Sequence, residues 1–316
     1  MEYRALGRTG LRVSRLCLGT LTLGPLQANL PLREGADLIR AALDLGVNFF
    51  DTADLYNTYE YLRAGLRGWT GDVVISSKSY DYTRDGMERA VVRALRETGR
   101  ERIEIFMLHE QESALTIKGH WPAVEYLLEA KQRGLVGAVG VSTHAVAAVE
   151  AMTRIPELEV VHPLLNRAGI GILDGTRDEM LAAVAAAHAA GKGVVGMKAI
   201  GGGHLAADAA AALRWAAELE CLDAIAVGCR TRAELAFNAA VICGQPVSAE
   251  IAAAVAAGPR KRLHIEEWCR GCGECVARCP QGALRLVGGR ATVDPEKCVL
   301  CSYCVPACRD FFIKVY

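Results

Sequence analysis

Eight of the twelve cysteines fall between residues 269 and 308, in two runs of identical spacing. The first is Cys269-x2-Cys272-x2-Cys275-x3-Cys279, followed by Pro280. The second is Cys298-x2-Cys301-x2-Cys304-x3-Cys308, followed by Arg309. Three thiolates spaced by two residues wrap one loop around a cubane, and a fourth on the helix that follows reaches across to a second cubane. The spacing therefore predicts one 4Fe-4S cluster on Cys269, Cys272, Cys275 and Cys308, and another on Cys298, Cys301, Cys304 and Cys279. Between the runs, ALRLVGGRATVD reads as a hairpin turning at Gly288-Gly289. Disulfides suit exported chains, and no export signal is visible. Structural zinc uses well-separated Cys-x2-Cys pairs, whereas here four cysteines crowd within eleven residues, twice. The other four, Cys17, Cys221, Cys229 and Cys243, lie scattered in apolar segments and read as small buried hydrophobes.

Upstream of this tail, short apolar runs alternate with longer amphipathic segments. The runs are 15–20, 47–52, 72–78, 103–108, 136–142, 158–163, 193–198 and 222–228; helical patterns occupy 33–45, 84–98, 119–133, 145–154, 177–190, 205–219 and 232–242. Alternation of this kind predicts βα units and a parallel sheet. Continuous apolarity within the runs fits strands covered on both faces. Eight units in roughly 240 residues match a (β/α)8 TIM barrel. A doubly wound sheet would want a Gly-rich fingerprint after the first strand, and Gly19-Thr20-Leu21-Thr22 supplies none. YRALGRTGLRVS reads as an N-terminal β-hairpin plugging the bottom of the barrel. The Ala-rich segment SAEIAAAVAAG breaks at Gly258-Pro259, which places a domain boundary near residue 262: a barrel over 1–262 and a small α+β ferredoxin-like domain over 263–316.

In such barrels the chemistry sits at the C-terminal ends of the strands. Asp51, Lys78 and His109 end the second, third and fourth apolar runs, and Tyr56 lies in the loop after Asp51. A phenol is a poor acid at neutral pH, a neighbouring ammonium favours its phenolate, and a carboxylate fixes that ammonium. Asp51, Lys78 and Tyr56 thus read as a tuned proton donor, with His109 orienting a carbonyl oxygen beside the Tyr56 hydroxyl. That set suits reduction of a carbonyl by hydride.

The stretches YRALGRTGLRVSRLCLGT, NFFDTADLY, VVISSK, IFMLHE and GVSTH resemble the aldo/keto reductase superfamily over roughly residues 1–245, and the tail resembles the bacterial two-cluster ferredoxin. The first resemblance matches the family's Asp, Tyr, Lys and His tetrad to Asp51, Tyr56, Lys78 and His109. It also implies a nicotinamide cofactor, NADPH or NADH, lying across the barrel mouth. On that resemblance Gly19, Thr20, Ser142 and Asn166 stand where the family contacts the nicotinamide and its ribose. Lys198 with Gly201, Gly202 and Gly203, and Gly228 with Arg230, fit a phosphate cradle; Asn238 matches an adenine contact. Leu165 replaces the family's stacking ring, Ser142-Thr143 replaces a frequent Ser-Asn pair, and Glu234 stands where NADPH users often carry arginine. A carboxylate there repels a 2′-phosphate, with Arg230 left to serve it.

The expected function is an NAD(P)H-linked oxidoreductase acting on an aldehyde, ketone or quinone, or on an alcohol in reverse. Hydride moves two electrons and each cluster one, so the alternative is a flavin-containing electron-transfer enzyme, its flavin phosphate in the cradle and its clusters a relay to a redox protein partner. A third reading makes the tail a docking module. Balanced charge, with 36 basic and 36 acidic residues and no basic stripe, gives no case for nucleic acid or an anionic membrane. Neither a signal-peptide core nor an apolar run of about 20 residues is present, so the expectation is a cytoplasmic protein.

Overall fold

The computed structural model describes residues 1–259, 261–301 and 303–316. Strands β1 (Tyr3–Ala5) and β2 (Arg12–Ser14) pair antiparallel as a hairpin. In its turn Gly7 has φ 48°, and a Cβ there would sit 2.2 Å from the Gly193 backbone nitrogen. Only glycine lets the turn close on the barrel. Leu6 and Val13 are buried with the inward residues Phe49, Val74, Ile105, Ala138, Val160, Val195 and Ala224, so the hairpin seals the N-terminal end.

Eight parallel strands follow: β3 (Leu16–Gly19), β4 (Phe49–Asp51), β5 (Val74–Ser79), β6 (Ile103–Leu108), β7 (Val136–Thr143), β8 (Val160–Pro163), β9 (Gly193–Met197) and β10 (Ala224–Gly228). They form a closed barrel in which β10 pairs back with β3. Around it run α1 (Leu32–Asp44), α2 (Tyr59–Gly65), α3 (Arg84–Thr98), α4 (Ala114–Gly119), α5 (Trp121–Gln132), α6 (Val146–Met152), α7 (Arg177–Ala189), α8 (Ala209–Ala217) and α9 (Arg232–Ile242). Helix α3 shows why these segments form where they do. The Thr83 hydroxyl caps it by accepting from the Gly86 N–H, and Gly99 ends it at φ 69°. Its buried residues Met87, Ala90, Val91, Ala94 and Thr98 repeat every three or four positions and face the sheet.

The helical pattern differs from the sequence expectation in three places. Helix α2 is an added element, only seven residues long and ending in Gly65. The segment 119–133 is interrupted at His120, which closes α4 and opens α5; Pro122 then fits the first turn of α5, where no N–H is required. The segment 205–219 shortens to α8, behind 3-10 turns at Gly201–Gly203 and Ala206–Asp208.

After α10 (Ala249–Ala256) come β11 (Leu263–Ile265), α11 (Glu274–Ala277), β12 (Leu284–Val287), β13 (Arg290–Val293) and β14 (Ile313–Val315). Strands β12 and β13 form a hairpin around Gly288 and Gly289, at φ 58° and 76°. Strand β14 returns to pair with β11. The tail's core residues Leu263, Phe311, Ile313 and Val315 share one cluster with Leu164 of the barrel rim, flanked by Ile170, Ile172 and Met197. The tail is thereby seated on the C-terminal mouth. No helix among the described residues is long and apolar enough to cross a membrane.

Candidate active site

Asp51 is the last residue of β4, and the β4–β5 register sets it opposite Ser76, two residues before Lys78. Lys78 Nζ donates to both Asp51 carboxylate oxygens, at 2.8 and 2.7 Å, and to the Thr52 carbonyl at 2.8 Å. With Lys78 only 1% exposed, these three bonds are what make burial of the ammonium tolerable. Tyr56 ends a 3-10 turn that Asn57 closes in the left-handed region, at φ 53°. Its ring lies 5.0 Å from Lys78 Nζ and meets the His109 ring edge-on at 5.8 Å. His109, just after β6, stacks on Tyr80 with ring centroids 4.2 Å apart. All four groups expected from the sequence therefore converge at one rim.

Their electrostatics differ in one respect from the sequence expectation. The Tyr56 phenol is held well above its ordinary pKa, first by burial and then by the Asp51 carboxylate. Lys78, paired with Asp51, leaves this net direction unchanged. Burial likewise pushes His109 well below the ordinary histidine value. The site thus presents a proton-bearing phenol beside a neutral imidazole, whose Nδ1 is buried without a hydrogen-bond partner among the described residues.

A cavity of about 360 Å³ runs across the mouth; of the tetrad, Asp51 and Tyr56 line it, while Lys78 and His109 stand behind its wall. Gly19, Lys198, Gly202, Gly228, Arg230, Glu234 and Asn238 line it together with Asp51 and Tyr56. Thr20, Ser142, Asn166 and Gly201 do not. The Thr20 hydroxyl pairs with that of Thr58 at 2.8 Å. Ser142 Oγ accepts from the Glu110 N–H at 2.9 Å. Asn166 Oδ1 accepts from Ala168 and Ile170, and its Nδ2 donates to the Ile170 carbonyl. These side chains brace their own loops. Leu165, 1% exposed, belongs to the core and not to the groove. Arg230 is also engaged: its guanidinium donates to the Pro259 carbonyl at 3.0 Å and lies 3.6 Å from Glu234, whose other oxygen accepts from the Arg230 N–H.

The tail's cysteines gather in two sets. One cavity is lined by Cys269, Cys272, Cys275 and Cys308, the other by Cys279, Cys298, Cys301 and Cys304. In each set the thiol of the last cysteine of one run accepts a backbone N–H four residues on, Ala283 to Cys279 at 3.3 Å and Phe312 to Cys308 at 3.2 Å. Donors of this kind suit sulfurs that carry negative charge.

The aldo/keto reductase family profile matches residues 15–209. The chain belongs to the aldo/keto reductase family. A 4Fe-4S dicluster domain profile matches residues 262–309, so this oxidoreductase carries an iron–sulfur domain behind its barrel. An uncharacterized oxidoreductase of Bacillus subtilis is 29% identical over 233 residues, covering 63% of this chain and 70% of that protein. An L-galactose dehydrogenase of Arabidopsis thaliana is 24% identical over 196 residues, 57% of this chain and 60% of that one. A solved Pseudomonas aeruginosa structure assigned to the aldo-keto reductases is 30% identical, with a TM-score of 0.65 over 77% of this chain and 94% of its own. The holo form of a Bacillus halodurans aldo-keto reductase shares the fold at 20% identity and a TM-score of 0.65, covering 79% and 94%.

Several residues of the aldo/keto reductase mouth escaped the sequence reading. His162 of β8 stands 3.9 Å from Asp51 Oδ1 and donates from Nδ1 to the Val195 carbonyl at 2.6 Å; burial lowers its pKa to about 4. His144, just past β7, receives a bond from Lys198 Nζ at 3.0 Å. Both follow or end apolar runs, which is the signal that marked the tetrad. Lys261 also lines the groove, as do Lys314, Val315 and Tyr316, and no pattern in the chain announces that the tail supplies the last three.

Proposed function

We propose that the barrel is an NAD(P)H-linked reductase of an aldehyde, ketone or quinone, with Tyr56 as general acid. The observation that carries this reading is the neutral, buried phenol facing the groove between Lys78 and His109. When bound, a nicotinamide supplies the hydride to the carbonyl carbon. Tyr56 then gives its proton to the carbonyl oxygen, and the phenolate left behind is stabilised by Lys78, 5.0 Å from its ring. Neutral His109 holds the oxygen toward Tyr56 by donating a hydrogen bond. Asp51 keeps Lys78 charged and in place. In reverse the same groups take a proton from an alcohol. Gly19, Lys198, Gly202, Gly228, Arg230 and Asn238 are the residues that would hold the dinucleotide. Because Glu234 already neutralises Arg230, the groove favours NADH over NADPH.

Tyr56→Phe tests this. Turnover should fall by about 10²–10⁴-fold, the usual worth of a positioned acid, with cofactor affinity retained. Unchanged turnover removes Tyr56 from the role.

A second reading has the groove hold a flavin that splits electron pairs into the clusters, one held by Cys269, Cys272, Cys275 and Cys308 and the other by Cys298, Cys301, Cys304 and Cys279. Division at residue 262 then separates a two-electron unit from a one-electron relay to a redox protein. This reading is favoured by the tail's last residues, Lys314 to Tyr316, walling the same cavity as Tyr56. A yellow holoprotein that releases flavin on denaturation selects it; colourless supernatant after denaturation rejects it.

A further inference from the structure

Strand β14 places a lysine where the barrel does its chemistry. Lys314 is 7% exposed, yet it comes from the iron–sulfur domain and lines the same groove as Asp51 and Tyr56. Its ammonium lies 3.6 Å from the centroid of the Phe311 ring, and that of Lys198 lies 5.1 Å from the same centroid. The close fit depends on Gly202, at φ 62°, where a Cβ would meet Lys314 Cδ at 3.0 Å and Phe311 Cζ at 3.1 Å. Lys198 itself sits in the left-handed region, at φ 59°, which for a residue with a side chain is a strained way to leave a strand.

Among the described residues neither ammonium forms a close ion pair, although Glu110 and Glu266 attract both at longer range and the Cys308 sulfur attracts Lys314. Among the described residues no carboxylate comes within 4.0 Å of Lys198 or Lys314. Lys198 donates only to His144 Nε2, and Lys314 only to the Phe311 carbonyl. The two acids that attract them from longer range make their own hydrogen bonds to other groups. Glu110 accepts from the Tyr80 hydroxyl at 2.6 Å, and Glu266 pairs with His264 at 3.3 Å. Buried charges in proteins are ordinarily paired, and an ammonium without a carboxylate beside an open cavity is stabilised by an anion entering it. Burial and the neighbouring Lys198 push Lys314 well below the ordinary lysine value, which is the cost such an anion would remove.

We propose that Lys314, brought in by the iron–sulfur domain, and Lys198, at the end of β9, form an oxyanion subsite in the groove that Tyr56 also lines, which binds a phosphate or carboxylate of the molecule held there. The proposal rests on the groove being the reductase site, and it makes that site incomplete without the tail. The anion has two sources: an acid group on the carbonyl substrate, or the phosphates of the cofactor.

Isothermal titration calorimetry on anaerobically purified holoprotein tests it without turnover. Inorganic phosphate should bind the wild type. Affinity should weaken at least about tenfold in Lys314→Met, the loss expected for one charged hydrogen bond, and recover in Lys314→Arg. Lys198→Met, a change on the barrel side, should give the same loss and guards against a seating defect in the tail. Titration with 4-carboxybenzaldehyde, benzaldehyde and NADH then separates the sources. Loss of affinity in Lys314→Met for the carboxylated aldehyde alone assigns the substrate's acid; loss for NADH assigns the cofactor's phosphates. Phosphate affinity equal in wild type, Lys314→Met and Lys198→Met, or absent from the wild type, overturns the subsite. Since Tyr56→Phe is scored by turnover, the two readings fail separately.

Discussion

Breaking the Asp51–Lys78 pair separates what it does for the fold from what it does for chemistry. At 2.7 Å the attraction, with an effective dielectric of about 20, is roughly 6 kcal/mol. Removing two ions from water costs several kcal/mol each, so the pair as a whole is near break-even. Removing one member is different. Lys78→Met leaves Asp51, 6% exposed, with only the His162 ring at 3.9 Å. An uncompensated buried charge of this kind costs about 3–5 kcal/mol. For a domain of this size that corresponds to a fall in Tm of roughly 6–20 °C. The double variant Asp51→Leu/Lys78→Met removes both charges and should return to within about 1–2 kcal/mol of wild type. Turnover should stay lost in both, because neither keeps a positive charge near the Tyr56 phenolate. Anaerobic scanning calorimetry and steady-state rates on the three proteins decide the matter. A single-variant loss below about 1 kcal/mol refutes the energetic argument, and turnover restored in the double variant refutes the catalytic one.

Gly203→Ala should unseat the last strand, since a Cβ there would lie 1.7 Å from the Val315 carbonyl oxygen at φ 92°; faster amide exchange over Ile313–Val315 is the expected signature. Cys308→Ser and Cys304→Ser should each remove a different cluster, so that the two variants lose about half the iron but show distinct electron paramagnetic resonance spectra on reduction. Identical residual spectra would contradict the crosswise ligand sets. His162 makes the fold acid-labile: its pKa is about 4 when folded against 6.5 when free, so its contribution is complete above pH 6.5 and drains as pH falls toward 4. The shift sets an upper limit of about 3 kcal/mol, and His162→Gln should flatten that part of the urea-midpoint profile.

Three features are legible in the chain itself. The eight strands were readable because a strand buried on both faces must be apolar throughout, and runs such as IEIFML at 103–108 coincide with β6. The duplicated cysteine spacing pointed to two crosswise sets, and the two cavities of the tail group the cysteines in the same way. The candidate tetrad came from the rule that a barrel puts chemistry at strand ends, and Asp51, Lys78 and His109 do stand at or just past those ends. Helix α2 and the break at His120 were less visible, being short elements whose limits depend on packing against neighbours.

Tertiary structure alone decided the electrostatics and the shape of the groove. Whether a polar side chain faces a cavity or braces a loop depends on partners distant in sequence, and this is how Thr20, Ser142 and Asn166 leave the groove. The direction of the Tyr56 shift depended on burial and on the Asp51 carboxylate, neither of which a linear pattern places around the phenol. The same holds for Lys314, 236 positions along the chain from Lys78 by number. Only the pairing of β14 with β11, and the seating of both on the rim, brings it to the mouth. Local spacing dictates chemistry that neighbours in the chain perform together; long-range packing dictates which distant groups share a low-dielectric space.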